Sequence, residues 1–577
     1  MSNTQLVRLG LPTLLLAMFS LPAAAQSFRV PCPTSTITHP STLTNINAEP
    51  AYNGPTNQAV GAGGYEVPTS SKNTAANVNG AIKCQQVAGG DGYSTMADGT
   101  QTYMFSFGPL SGLADMSNGL PGTQFPNVFN TLYTGTLLPG DPATTDGAVA
   151  NSWPAYNTPN PTSAFSWNGA VGLTADSDQL AACAAATGRP TAACAALTAS
   201  HGIDGHVDPR QIMDVGIMNG NIPAPLMAID EDDEFFLTLT NVGMIMRPDL
   251  FEQHTIHFHG YPNASPLYDG VPDASVAINI GGSFTYYYLA PDAGTYFWHC
   301  HITPPEHLQM GMVGQLYVRP RQNRVPLGKS LYAYLQLQQS DLRTACTSGD
   351  VLCSNPLPAD KGVLPGQTKA TVATTGVKYV YNDGDGSTAY DVEYPIQIHG
   401  FDPNFHFVGM TFNPEGFVDM KDKYFLMNGR SYPDTVRPGP QATQSSDGRV
   451  HYSQPMSSII NIPQGGRALL RISDLAVTEY QTIASLGVPM HVVGYNAKLL
   501  RDQEGNNTDY YTNSITIGGG ESADVILDAS DAGCGTTGCA AQLYPKGSVF
   551  YVYTPNLDHL SNDAENFGGL MTEVRIN

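Results

Sequence analysis

HCHITPPEHLQMGM, residues 299–312, decides how this chain is read. It sets Cys300 between His299 and His301 and follows them with His307 and Met312. A thiolate, imidazoles and a weak thioether form the ligand set of a blue-copper electron-transfer centre. A second compact group, HTIHFHG at 254–260, adds His254, His257 and His259. On an extended strand, residues two apart face the same way. Alternation therefore predicts His299 and His301 on one face, with Cys300 on the other. His257 and His259 pair in the same manner, and His254, of opposite parity, reaches the cysteine's side. One cysteine can then hold a metal while its neighbours hold others behind it, joined by a short covalent route. Six of the 14 histidines fall between residues 254 and 307, too dense for scattered surface or core positions. Structural zinc wants several thiolates or a tetrahedral set and has no use for Met312.

Around these motifs the sequence alternates with period two, the mark of half-buried strands. QTYMFSFG (101–108), EFFLTLTNVG (234–243), SFTYYYLA (283–290), GTYFWHCH (294–301) and GQLYVRP (314–320) all carry it. IINIPQGGRALLRISD (459–474), VPMHVVGYNAKLL (488–500) and TIGGGESADVILDAS (516–530) read as strand–turn–strand. With 59 Gly, 43 Pro and only 13% charged residues, the composition favours short strands and turns over long helices. The expected class is all-β: two antiparallel β-sandwich domains with Greek-key connections. The first domain, 26–322, includes an N-terminal extension and a long insertion at about 109–211 with an Ala-rich, cysteine-bearing stretch. A linker follows at 323–376, and the second domain occupies 377–577. The acidic run Asp230-Glu231-Asp232-Asp233-Glu234 lacks the spacing and glycine of a calcium loop, so an exposed hairpin is expected there.

A formal net charge of −23 argues against nucleic acid or an anionic membrane as partner. Residues 1–25 read as a secretory signal, with Arg8, a short apolar core and Ala23-Ala24-Ala25. That core is too short for a comfortable membrane span, so a periplasmic or extracellular protein is expected. Setting Cys300 aside from the nine cysteines leaves an even number. Cys183 with Cys194, Cys346 with Cys353, Cys534 with Cys539 and Cys32 with Cys84 are the plausible disulfides, as export would allow.

HTIHFHG and HCHITPPEHLQMGM resemble the two copper motifs of the multicopper oxidase family, the linked cupredoxin domains that include laccases. KYFLMNGRSYPDT (423–435), VPMHVVGYNAKLL and GGGESADVILDAS are similar to that family's other domain. The resemblance implies a type 1 copper on His254, Cys300, His307 and Met312, in the first domain as in two-domain oxidases and copper nitrite reductases. It implies that His257, His259, His299 and His301 serve a type 2/type 3 copper cluster that reduces dioxygen. YDGVPDAS (268–275) resembles the family's Asp-Gly segment, which makes Asp269 a catalytic acid assisting proton delivery.

The chain departs from the family twice. Residues 301–306 form a longer loop between Cys300 and His307 than laccases have, though nitrite reductases share such length. A full trinuclear cluster also takes four His-x-His pairs, and only two are present. VPMHVVG keeps His491 alone, with Val488 and Val493 where histidines are expected, and the closing element near His559 has lost its His-Cys-His. A homo-trimer could bring His491 or His559 of one chain to the first domain of another. The leading expectation is an oxidase coupling one-electron oxidation of a phenol, metal ion or redox protein to oxygen reduction. A nitrite-reductase-like enzyme and a cupredoxin electron carrier are the alternatives.

Overall fold

A computed structural model describes residues 82–110, 218–338 and 372–577, with breaks at 262–265, 291, 412–415, 445–447 and 503–505. It also describes short strand pieces at 32–33, 60–61, 64–65, 173–174, 202–203 and 206–207. The expected signal segment, most of the expected 109–211 insertion and three of the four expected disulfides lie outside the described residues or their described side chains. Cys534–Cys539 is bonded.

Alternating residues build the first sandwich. Its strands are β1 (Ile82–Thr95), β2 (Gln101–Pro109), β3 (Met227–Asp230), β4 (Glu234–Asn241), β5 (His257–His259), β6 (Ser283–Leu289), β7 (Gly294–His299) and β8 (Val313–Arg319). One sheet runs in the order β6-β4-β1-β2 and the other β5-β7-β8-β3. Between them lies a core that includes Val87, Phe105, Leu237, Tyr286, Trp298 and Leu316, with Cys300 and Met312 in the same cluster. A short helix, α1 (Pro304–Gln309), connects β7 to β8.

The second sandwich pairs a sheet built around β9 (Val392–Phe401), β10 (Tyr424–Met427), Arg467–Asp474, Met490–Tyr495 and Glu521–Asp528 with one around Gln481–Leu486, Val549–Tyr553 and Met571–Ile576. Helix α2 (Pro403–Thr411) leaves β9 and packs on β2 of the first sandwich. The class is all-β, but the sheets are mixed rather than purely antiparallel. β4 runs parallel to β1, β3 to β8, and β9 to Arg467–Asp474. Local alternation cannot foretell this, because these neighbours are brought together by chain that crosses from one sheet to the other.

The acidic run overturns its expectation. β3 and β4 belong to different sheets, so 230–234 is a buried crossing and not an exposed hairpin. Lys83 pairs with Asp230 at 3.0 Å and Asp233 at 2.6 Å, while Arg321 and Arg324 each meet Asp232 at 2.7 Å. Buried carboxylates are tolerable only with such partners. Those partners come from β1 and from beyond β8, too distant in sequence to be seen.

The sandwiches meet along β7 and β8. Thr295 donates to Asp524 at 2.6 Å, Ser522 donates to the Thr295 carbonyl at 2.6 Å, and Gln315 donates to the Arg471 carbonyl at 2.6 Å. Glu393 is gripped by Arg319 at 2.8 Å and Arg471 at 3.0 Å. This interface fixes the strand that carries the copper-type motif.

Candidate metal centre

β7 ends at His299, and the chain turns at Cys300 into α1. The Cys300 Sγ points into the core, 3.2 Å from His307 Nδ1 and 4.0 Å from His254 Nδ1. His254, Cys300 and His307 are fully buried and offer one donor atom each within 4.8 Å of one another. Met312, also buried, pins the loop through its backbone: its N–H donates to His307, and its carbonyl accepts from Cys300. Two features let His254 sit so close. It bridges to Ile278 outside any regular strand, and Gly89 on β1 has no side chain where the ring lies. A Cβ at Gly89 would come within 2.7 Å of His254 Cδ2.

Charge in this pocket is organised for a thiolate. Burial would raise the Cys300 thiol, but His307 and the hydrogen bonds from both histidines outweigh it and hold the thiol well below its usual range. Burial works against a charged His307, yet the thiolate and Glu252 lift it to about 10. Glu252 lies 3.4 Å from His307 Nε2, leaving Nδ1 to face the sulfur. The sequence reading missed Glu252. Its signal was position, two residues before His254 on extended backbone, hence on the same side.

On the opposite side, the register of β5 against β7 sets His257 directly across from His299. His257, His259 and His299 bring donor atoms within 4.8 Å of one another. His301 stands beside them, its ring 5.1 Å from His257 and 5.7 Å from His299, but outside that tight group. Backbone carbonyls select the ring nitrogens. His257 Nδ1 donates to Asp269 O at 2.6 Å and His299 Nδ1 to Cys300 O at 2.8 Å, turning each Nε2 toward the group, where His299 Nε2 lies 3.3 Å from His259 Nδ1. Burial, reinforced by the neighbouring rings, pushes His299 down to about 3 and His259 to about 4. Neutral imidazole is the form that binds metal.

Asp269 sits where it can act on His257, with Oδ1 3.6 Å from Nδ1 and its side chain partly exposed. Gly270 secures that approach. With φ at +79°, it packs so tightly on the Ile256 carbonyl that any Cβ would collide. Thr255, also missed, donates its N–H toward the Cys300 sulfur at 3.5 Å and accepts from the His301 N–H at 3.0 Å.

The second sandwich does not place its histidines here. His491 Nε2 faces Asp509 at 3.1 Å and its ring stacks on Tyr511, so within the chain it joins neither group. His559 is held between Gln481 and Glu479. At the histidine group the second sandwich presents the Gly518-Gly519-Gly520 turn, against His259. Around α1 it does more. Asp422 accepts from Gln309 Nε2 at 2.9 Å, the Asp402 N–H donates to Gln309 Oε1 at 2.8 Å, and His406 Nε2 meets the Gln309 carbonyl at 2.9 Å. A third group, Asp531 with Cys534 and Cys539, has its sulfurs joined in the disulfide.

Residues 204–323 match the family model described as multicopper oxidase. A laccase of Aspergillus fumigatus (Laccase abr2) is 36% identical over 109 residues, 18% of this chain and 17% of that protein. A copper-containing nitrite reductase of Rhizobium meliloti is likewise 36% identical over 109 residues, 18% of this chain and 26% of that protein. The aligned segment thus spans about a quarter or less of these relatives. Among solved structures, a blue copper oxidase from Nitrosomonas europaea aligns over 62% of this chain and 78% of its own, at 21% identity and a TM-score of 0.37. Over the segment that carries both histidine groups, the chain is similar to multicopper oxidases.

Proposed function

We propose that this chain is an exported copper oxidase, with a type 1 copper on His254, Cys300, His307 and Met312. A second copper centre is held by His257, His259, His299 and His301. The donor chemistry fits: a thiolate with two imidazoles on one side, and neutral imidazoles on the other. Copper bound there supplies one-electron oxidation of a reductant at the thiolate and reduction of dioxygen to water at the histidines.

The residues have separable tasks. Glu252 orients His307 and balances its charge. Cys300 joins the two sites: its peptide bonds lead to His299 and His301, and its carbonyl holds the His299 ring. That coupling is the observation that carries the proposal. Asp269, partly exposed beside His257, moves protons between solvent and the histidine group. The reductant is a phenol, a metal ion or a small redox protein. The Cys534–Cys539 disulfide supports a periplasmic or extracellular setting, and no helix among the described residues is long and apolar enough to cross a membrane.

A nitrite-reductase-like enzyme is the second reading. No histidine of the second sandwich joins the histidine group among the described residues, which suits a smaller centre completed by another chain. Against it, such reductases have an aspartate where His257 stands. Copper per chain, with optical and spin-resonance spectra, tests both. A thiolate charge-transfer band, a near-ultraviolet band from a coupled copper pair and oxygen uptake are expected. A lone mononuclear centre beside the thiolate site, with nitrite turnover and no oxygen uptake, would establish the second reading. Absence of the thiolate band would sink both.

A further inference from the structure

We propose that a cleft between β2 and α2 binds a small neutral aromatic reductant, and that Tyr103 and Phe105 form the contact route from it to His307. This rests on the copper reading of Cys300 and His307. The cleft encloses about 640 Å³, within the range of small-molecule sites. Tyr93, Tyr103, Phe407 and Met410 line it with rings and a thioether, surfaces that favour a planar aromatic guest. The exposed amides of Gln101 and Gln444 offer hydrogen bonds to a hydroxyl. Among the described residues no carboxylate, lysine or arginine lines it, and the one histidine, His406, has both ring nitrogens on backbone carbonyls, which suits an uncharged guest.

From the cleft, rings run inward without a gap. Tyr93 and Tyr103 have centroids 5.5 Å apart, Tyr103 and Phe105 5.8 Å, and Phe105 and His307 5.9 Å, each pair edge to face. Such spacings are van der Waals contact between aromatic rings. Both tyrosines of the outer segment are anchored. Tyr103 donates its hydroxyl to Asp91 at 3.0 Å, and Tyr93 donates to Met410 Sδ at 3.1 Å. Alternation along β2 puts Tyr103 and Phe105 on one face, so a single strand supplies the whole inner segment. In the step proposed, a bound phenol loses one electron and its hydroxyl proton. The proton would leave to water at the cleft mouth, and the electron would pass along the rings to His307, with copper(II) held there and at Cys300 as the one-electron acceptor that balances the step.

The test uses the copper-loaded full chain. Calorimetric titration with para-cyanophenol, a phenol too hard to oxidise to be consumed, should show saturable binding in mildly acidic buffer. Phe407→Ala, on an exposed side chain, should weaken it severalfold, the value of one ring contact, and Gln444→Trp should weaken it by filling the cleft mouth. Without oxygen, stopped-flow bleaching of the thiolate–copper band by catechol should slow severalfold in Phe407→Ala and in Phe105→Leu. Bleaching by dithionite, which needs no cleft, should keep its rate. If Phe105→Leu does not fold, Phe407→Ala carries the kinetic arm alone. No binding heat, or equal catechol rates in the variants, overturns the proposal. If no thiolate–copper band forms, the proposed function fails instead, and the titration alone decides whether the cleft binds a phenol.

Discussion

Gly89→Ala adds one methyl group at the wall of the thiolate site, and the structure sets the size of its effect. The new Cβ would stand 2.7 Å from His254 Cδ2, whereas ordinary contact begins at 3.4 Å. The ring or β1 must therefore yield by about 0.7 Å. Neither moves freely. His254 is fully buried with its ring 5.4 Å from that of His307, and Gly89 lies in the ladder between β1 and β4. Overpacking of this kind costs about 1–3 kcal/mol. The lower entropy of the unfolded chain offsets about 0.4–1 kcal/mol, leaving a net loss of roughly 1–2 kcal/mol. Urea unfolding of the metal-free protein measures that loss, and the thiolate–copper band of the loaded protein reports the displaced ring. Both should change, the band in position or intensity. An unaltered unfolding midpoint with an unaltered band would refute the claim that the bare backbone at Gly89 makes room for His254.

Three further outcomes are expected. Cys300→Ser should abolish any intense blue or green colour while copper remains at the histidine group; a surviving colour would remove the cysteine from the site. His491→Ala should leave copper content unchanged and lower stability by about 1–2 kcal/mol, through loss of the Asp509 pair and the Tyr511 stack. A fall in bound copper would instead mean that His491 ligates in another chain. Burial holds the Asp422 carboxyl up at about 6, against hydrogen bonds from Thr478 and Gln309. Its folded value thus exceeds the unfolded value of 3.8, so stability is greatest below that point and falls as pH rises toward about 6. Asp422→Asn should flatten this dependence in urea unfolding; an unchanged slope would place its origin elsewhere.

Much of the first sandwich could be read from period-two alternation, because alternate residues of β2, β4, β7 and β8 face the shared core, although these strands are buried on both faces. Both histidine groups were legible for the same reason. What escaped the sequence was pairing at a distance. The acidic run at 230–234 looks solvent-facing by composition, and only Lys83, Arg321 and Arg324 make its burial tolerable. Parallel neighbours such as β4 and β1 leave no local trace. Glu252 was hidden differently: a glutamate near histidines is unremarkable until its carboxylate is seen at the far nitrogen of His307. His491 lies elsewhere within the chain than its motif suggests. A motif remnant suggested a ligand, and the chain instead gives that ring to Asp509 and Tyr511.

The grip of Asp402, Asp422 and His406 on Gln309 gives the second sandwich a claim on the proposed thiolate–copper site. Gln309 lies between His307 and Met312, so the spacing of those two side chains is governed from the neighbouring sandwich. Severing the halves would slacken the loop even with every ligand intact. If copper binds as proposed, its reduction potential would then respond to substitutions that never touch a ligand.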